Sequence, residues 1–389
     1  MAKNGSVTAA RALFEDARAD PGSIDIERCV ALLEAREPTA RRFTLDALRI
    51  LGEYEPGRIR EAMEASGPFI RPRLADEDPS VRAAALAALT PIYEANPSNI
   101  SSDIDRIREM LEEDPPLVVG KALRLLERVA RYNPDPIRGL ADTVIPFLSV
   151  ETPSTRASAV VVISAISEVD ADEISPAVPA LIDIVTDPNR RINAGPFSPT
   201  TVDRDSQERI RAAGREETER ARAVRAAAAR TLAQVAVAQP GTVVSHLEQI
   251  LEILRDPDPQ LRLVAAEIIV PLAKDRPQTV LNALDTLQQC LREDDLEAVH
   301  ASLTQALSAL AAEYPQAIVP VVEEHAGIFH EMLVYDAYSV RGSAAHLLAI
   351  SESPAIVRPV RDDLEELAET STRSFISSAA RDALGVIDD

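Results

Sequence analysis

The sequence predicts an all-α protein in which pairs of helices stack one after another. Aromatic residues make up 3% of the chain, tryptophan is absent, and only 13 of the 389 residues are glycine. β-Sandwiches and barrels depend on aromatic residues and on glycine in their turns, so this composition favours helices. Apolar residues also recur at helical spacing, as in Ile250, Leu251, Ile253 and Leu254. The third observation is a short motif that returns at intervals of 37 to 41 residues.

The motif begins with proline and reaches an arginine three positions later. A small residue follows the arginine by three positions and an apolar residue by seven, as in Pro79, Arg82, Ala85 and Leu89. Proline favours the first turn of a helix, and the small residue allows a neighbouring helix to approach closely. The arginine position of each copy is here named its anchor. The eight anchors are Arg41, Arg82, Val119, Arg156, Arg225, Arg262, His300 and Arg341.

Each copy predicts a hairpin of two amphipathic helices. The first helix ends at an acidic turn that contains proline, such as residues 256–259, where aspartate can cap the second helix. A further proline often closes the unit. Two short helices cannot bury their apolar faces alone, so successive hairpins stack on one another. A degenerate copy near residues 371–373 brings the expected number of hairpins to about nine.

The motif resembles the HEAT repeats of the armadillo and HEAT superfamily of α-solenoids, most closely from Asp78 to Leu89. The resemblance extends over residues 23–389. It implies a right-handed α–α superhelix of about nine HEAT-like hairpins, whose second helices line a concave face. Val119 and His300 replace the arginine in repeats three and seven. In HEAT repeats the arginine of this motif usually forms a structural ladder with aspartates of neighbouring turns. The resemblance therefore implies a structural role for Arg41, Arg82, Arg156, Arg225, Arg262 and Arg341.

The repeat spacing predicts four regions along the chain. Residues 1–22 are expected to form an N-terminal capping helix, and residues 23–173 to form repeats 1–4. Residues 174–240 are expected to form an enlarged repeat 5. Residues 241–389 are expected to form repeats 6–9, with the last one acting as a C-terminal cap.

The enlargement of repeat 5 is predicted from the 69 residues that separate the anchors Arg156 and Arg225. Glycine and proline without periodicity predict an inserted loop at about 189–219, either alone or followed by an extended second helix. Long loops on rigid scaffolds often carry function. The candidate binding residues of this insertion are Arg190, Arg191 and Phe197.

The chain is strongly acidic, with a net charge of −22 from 63 acidic and 41 basic residues. Lysine occurs only at Lys3, Lys121 and Lys274. This composition resembles that of proteins from salt-in halophilic archaea, in which hydrated acidic side chains repel one another little because molar salt screens charge. The alternative is an acidic surface that binds a basic partner. In ordinary salt the charge would also argue against nucleic acid and anionic membranes as partners.

One predicted helix carries a row of basic residues. Their spacings of 3, 4 and 3 place them within an arc of about 80° on the helix, opposite Leu123 and Leu126. On a concave face this row could bind an acidic segment or a phosphate. Alternatively, it complements the helix dipole or is neutralised by Glu127 and by acids of adjacent helices. The row consists of Lys121, Arg124, Arg128 and Arg131.

No catalytic, metal or cofactor site is expected from the sequence. Cys29 and Cys290 lie far apart and next to apolar residues, and G-x-S-x-G, H-E-x-x-H and phosphate-binding glycine loops are absent. His325 and His330 lie about 140° apart on a helix, which is unsuitable for sharing a metal ion. No apolar run approaches about 20 residues, so we expect no membrane insertion and a cytoplasmic protein.

These observations predict a non-enzymatic scaffold or adaptor that binds a protein partner along the concave face. The alternative is a nucleic-acid-binding or chromosome-associated HEAT protein that uses the local basic row. A third possibility, an enzyme resembling the HEAT-like bilin lyases, is disfavoured because those proteins use shorter repeats. Salt dependence separates the first two, because phosphate binding weakens steeply as salt is added.

Overall fold

A computed structural model describes residues 5–186 and 204–388, which form two compact units, residues 1–177 and 178–389. The candidate residues Arg190, Arg191 and Phe197 lie outside the described residues. The helices of the first unit are α1 (Gly5–Ala19), α2 (Ile26–Leu33), α3 (Pro38–Tyr54), α4 (Pro56–Ser66), α5 (Pro79–Ala95), α6 (Ile104–Glu113), α7 (Pro116–Ala130), α8 (Ala141–Val144) and α9 (Pro153–Val169).

The second unit continues the same alternation of short and long helices. Its helices are α10 (Val178–Thr186), α11 (Arg204–Ala238), α12 (Pro240–Val243), α13 (Leu247–Ile253), α14 (Pro259–Asp275), α15 (Pro277–Leu281), α16 (Leu284–Glu293), α17 (Glu297–Glu313), α18 (Pro315–Met332), α19 (Tyr338–Ile350), α20 (Pro354–Val357), α21 (Arg361–Thr370) and α22 (Ser374–Asp388). Because every regular element in the described ranges is helical, the all-α prediction is confirmed.

The helices that contain the anchors are the long second helices of the hairpins, named B helices here. They are α3, α5, α7 and α9 in the first unit, and α11, α14, α17 and α19 in the second, with α22 taking the same place in the last hairpin. Each B helix packs on the next within its unit, as α3 does on α5 and α14 on α17. The N-terminal helix α1 packs on α3 in the same way.

The first helices of the hairpins are less regular than the sequence predicts. In the fourth, sixth and ninth hairpins they are broken into short α-helical pieces and 3₁₀ turns, such as α8 followed by Ile145–Ser149. In the fourth and ninth hairpins, proline within these segments removes a backbone donor and interrupts the hydrogen-bond ladder of an α-helix. The segment predicted as an inserted loop at about 189–219 is helical from Arg204 onward, so α11 is an extended second helix. The four predicted regions, 1–22, 23–173, 174–240 and 241–389, remain a prediction.

Each B helix buries the motif residues that the sequence marks as small or apolar. Ala85 and Leu89 of α5 are fully buried, as are Ala265 and Ile269 of α14. Two pairs of neighbouring B helices approach closely at a glycine, at Gly52 and at Gly342. A Cβ atom added to Gly342 of α19 would lie 2.8 Å from Ile376 Cγ1 of α22. Any side chain at this position would force the two helices to shift.

A guanidinium–carboxylate contact joins consecutive hairpins at their turns. Arg262 Nε and Nη2 donate to Asp294 Oδ2 and Oδ1 of the next hairpin at 2.7 and 3.2 Å. Arg262 Nη1 also donates to the carbonyl oxygen of Asp256, in the turn of its own hairpin, at 3.2 Å. Asp294 Oδ1 in turn accepts the backbone N–H of Leu296 at 2.9 Å, which holds the turn before α17. One arginine therefore fixes two turns at once.

The same contact is made by three other anchors. Arg41 binds Asp76 with two hydrogen bonds of 2.7 Å, and Arg82 binds Asp114. Arg225 donates to Asp256 at 2.6 Å. Arg156 and Arg341 donate to carbonyl oxygens of their own turns, those of Val150 and Tyr335.

The ladder has gaps where the anchor is not arginine. The aspartate of the ladder usually lies six positions before the next anchor. That position holds Val150 in the hairpin after Val119 and Tyr335 in the hairpin after His300. At these two steps neither the arginine nor the aspartate of the ladder is present. Other polar contacts cross these steps, between Ser158 and Glu127 at 2.7 Å and between Ser308 and His346 at 2.9 Å.

Replacing Arg262 with alanine should lower the free energy of unfolding by about 2 kcal/mol at neutral pH, because it leaves the buried Asp294 carboxylate without its charged donor. Burial acts to raise the pKa of Asp294, but the bonds from Arg262 and Leu296 outweigh it and hold the pKa below its ordinary value. This stabilisation is present above about pH 4, the unfolded-state value, and is lost as pH falls through the lower folded-state pKa. Urea unfolding across pH measures both effects.

The control is Arg361→Ala, which removes two exposed pairs, with Glu365 at 2.7 Å and with Asp388 at 3.6 Å. Exposed pairs of this kind contribute about 0.5 kcal/mol or less. Equal losses in the two variants would contradict a ladder that stabilises the fold.

Replacing Gly342 with alanine should destabilise the second unit by about 1–3 kcal/mol, because the new methyl group overlaps Ile376. Gly385→Ala on α22 is the matched control, since a Cβ atom there meets nothing within 4 Å. Alanine at that position should stabilise the helix by about 0.5–1 kcal/mol. Thermal unfolding of both variants tests the opposite signs.

Candidate partner-binding face

The side of the B helices that faces away from the first helices is named the B face here. Its centre is marked by the residue five positions after each anchor. Residues three and seven positions after the anchor are buried, but none of the residues at this position is buried. In the first unit this central column is Asp46, Ala87, Arg124 and Val161, and in the second it is Arg230, Glu267, Gln305 and His346.

Two ionisable groups of the central column, Asp46 and His346, are half-buried, and a third, Glu267, is exposed. Burial raises the pKa of Asp46, although Arg42, Arg49 and Lys121 act in the opposite direction. Burial also raises the pKa of Glu267, with no compensating cation, and lowers the pKa of His346 against the effect of Asp382. In each case the charged form is destabilised in the folded chain. Desolvated groups with shifted pKa values mark candidate functional sites.

The basic row lies on this face of α7, and all four side chains are exposed. Arg128 pairs with Glu94 of α5, and Arg131 Nη2 lies 2.7 Å from Glu127 Oε1. Glu127 also accepts the Ser158 hydroxyl of α9 at 2.7 Å. Arg128 and Arg131 are therefore neutralised by carboxylates.

The other half of the row remains available. Among the described residues, Lys121 and Arg124 make no ion pair within 4 Å. Lys121 is close enough to Asp46, two hairpins away, to lower its pKa, so both residues lie on the same face. The row separates into two engaged cations and two free ones, and its role as a binding site stays a proposal.

In the second unit the B face contains two cavities. The first has a volume of about 630 Å³ and is formed by α11, α14 and α17, with Glu267, Val270 and Gln305 in its wall. The second has a volume of about 520 Å³ and is formed by α17, α19 and α22. Lys274 contacts both cavities. Sequence reasoning missed Lys274, Glu267, His346 and Phe375, although the scarcity of lysine was a usable signal.

The described residues offer little chemistry of other kinds. Within them, no three His, Cys, Asp or Glu side chains are grouped so that they could hold a metal ion. Burial raises the pKa of Cys29 to about 12 and that of Cys290 to about 11, so both thiols are protonated at neutral pH. None of the helices searched combines the length and apolarity needed to cross a bilayer.

The desolvation of Glu267 leads to a stability test. Glu267→Gln should raise the free energy of unfolding at pH 7 by less than about 0.5 kcal/mol, because it removes a charge that the folded state disfavours but that solvent largely screens at this exposed position. The gain should disappear as pH falls through the raised pKa, where Glu267 itself becomes neutral. Glu252→Gln, on an exposed site of α13, is the control. A destabilised Glu267→Gln variant would contradict this description of the B face.

A solved structure with a similar fold agrees with the all-α architecture described above. An engineered protein solved by the Northeast Structural Genomics Consortium has a TM-score of 0.68 and 20% sequence identity, covering 98% of this chain and 95% of its own. At that identity the likeness shows the fold alone. A second engineered protein from the same consortium has a TM-score of 0.44 and 19% identity, covering 64% of this chain and 96% of its own. No curated protein sequence matches this chain.

The family comparison is more specific. The model of the adaptin N-terminal region, a HEAT/armadillo-like α-solenoid, matches residues 40–332. This range contains seven of the eight anchors and the whole basic row. The prediction of a HEAT-repeat solenoid is confirmed, and the chain belongs to the adaptin N-terminal region family.

Proposed function

We propose that this protein is a non-enzymatic scaffold or adaptor that binds a protein partner along the B face. Solenoids of this kind are commonly protein-interaction scaffolds. The observation that carries the proposal is the pair of exposed cations Lys121 and Arg124 on this face, which make no ion pair among the described residues. The location in the cytoplasm stays a prediction.

In the first unit the partner is expected to be an acidic segment. Four anchor arginines form ion pairs between hairpins, so they are not available to a partner. Lys121 and Arg124 are exposed and unpaired among the described residues, and they lie beside the desolvated column. An acidic segment along α7 would contact both cations. In a chain of net charge −22, these two are a local site of complementary charge.

Nucleic acid fits the same surface less well. A phosphate track needs several free cations in succession, whereas Arg128 and Arg131 are already paired. Glu94, Glu127 and Asp46 add negative charge along the face. Aromatic side chains, on which exposed bases would stack, are also few in this chain.

The test is a charge reversal at the two free cations. Lys121→Glu with Arg124→Glu should weaken partner binding at least tenfold, because two charge-assisted hydrogen bonds are lost and replaced by repulsion. The measurement is affinity capture from the native cell at its own salt concentration, with and without nuclease. The partner should be stoichiometric, should survive nuclease and should be lost from the variant.

The matched control is Arg28→Glu with Arg60→Glu, two exposed arginines on first helices of the same unit. It carries the same change of charge and should retain the partner. Circular dichroism should report equal helicity for both variants. Retention of the partner by the Lys121 and Arg124 variant would refute the proposal. Companions lost on nuclease treatment would instead support nucleic-acid binding.

A further inference from the structure

A second candidate site lies in the last hairpins, at the 520 Å³ cavity between α17, α19 and α22. This cavity is named the C-terminal cavity here. Its volume falls within the range of about 300–1,000 Å³ that is usual for ligand sites. It opens on the B face, and Gln305 and His346 of the central column contribute to its wall. All of its residues belong to the second unit.

One wall of the C-terminal cavity is an exposed aromatic ring. Phe375, in the first turn of α22, is 59% exposed, although the chain has only seven phenylalanines. Its ring meets the His346 imidazole edge-on, with 6.3 Å between the centroids and an angle of 65°. Ala309 and Ala312 of α17 extend the apolar surface without filling the space. An exposed aromatic beside a cavity is typical of the centre of a binding site.

Two cations stand at this cavity without a carboxylate partner. Lys274 of α14 and Arg373, just before α22, both contact the cavity, and neither makes an ion pair within the described residues. The only acid in the cavity wall is Glu313, so the cavity carries more positive than negative charge. This is unusual in a chain with 63 acidic and 41 basic residues. Lys274 is also one of only three lysines.

The base of the cavity offers hydrogen-bonding groups. The Ser308 hydroxyl lies 2.9 Å from His346 Nδ1, and Ser308 and Ser343 are 6% and 9% exposed. Gln305 adds an amide. Groups of this kind fix the orientation of a bound backbone but do not select charge.

We propose that the C-terminal cavity binds a short segment of a protein partner in which an aromatic or large apolar side chain stands next to carboxylates. The apolar side chain packs against Phe375, and the carboxylates pair with Lys274 and Arg373. The proposal rests on the proposed scaffold function, and it adds a second contact site with its own chemistry. A phosphate chain fits less well, because two cations opposed by Glu313 make no continuous track.

A peptide series tests this chemistry directly on the full chain. The probe is a fluorescein-labelled Gly-Asp-Asp-Phe-Asp-Gly peptide, followed by fluorescence anisotropy. One companion peptide has lysine in place of every aspartate, and the other has glycine in place of the phenylalanine. The acidic aromatic peptide should bind at least tenfold more tightly than either companion. Equal binding of all three peptides would overturn the proposal.

Substitutions locate the site. Phe375→Ala, and separately Lys274→Glu with Arg373→Glu, should each weaken binding of the acidic aromatic peptide at least tenfold. Arg255→Glu with Arg358→Glu makes the same change of charge outside the cavity and should leave binding unchanged. Because Phe375 is exposed and at a helix start, its loss should not alter unfolding. An unaffected Phe375→Ala variant would overturn the proposal.

Three further outcomes separate this proposal from its alternatives. If the native partner is lost from the Lys121 and Arg124 variant but kept by both cavity variants, the scaffold function stands and the cavity proposal fails. If the partner is kept by all of these variants, both fail. A change of oligomeric state in Phe375→Ala, measured by sedimentation, would identify a second copy of the chain as the occupant and would also overturn the proposal.

Discussion

The contact on which the rest of the structure depends is the guanidinium–carboxylate pair between consecutive hairpins. Arg262 binds the turn of its own hairpin through a carbonyl oxygen and the turn of the next through Asp294. Because Asp294 also accepts a backbone N–H of its turn, one side chain sets the start of a helix and its register with the preceding hairpin. Each such pair acts only between neighbours, so stability is close to a sum of repeat and interface contributions.

This arrangement frees the B face for other purposes. The anchor arginines satisfy the turns, the small residue three positions later allows close packing, and the apolar residue seven positions later fills the core. The residue five positions later is under none of these constraints. It varies from aspartate to arginine to histidine along the column, and its charged forms are destabilised by partial burial.

Much of the fold could be predicted because its signals are local and periodic. Proline begins α3, α5, α7, α9 and α14 as the motif indicates, since its fixed φ angle suits a first helical turn. The gaps in the arginine ladder at Val119 and His300 also followed from the motif. The broken first helices were not anticipated, because helical periodicity continues through a 3₁₀ turn and hides the interruption.

The sequence by itself determined where the B helices that start with proline begin and which of their residues are buried, because both follow from spacing along one repeating unit. The ladder was implied by the family resemblance for six arginines, and four of them contact an aspartate of the next turn. Only the tertiary structure decided that Glu94 neutralises Arg128 while Lys121 and Arg124 remain free. It alone brought Lys274, His346 and Phe375 to one cavity, although about 100 residues separate the first from the last. The physical reason is that such contacts depend on the distances between stacked helices, which no local pattern encodes.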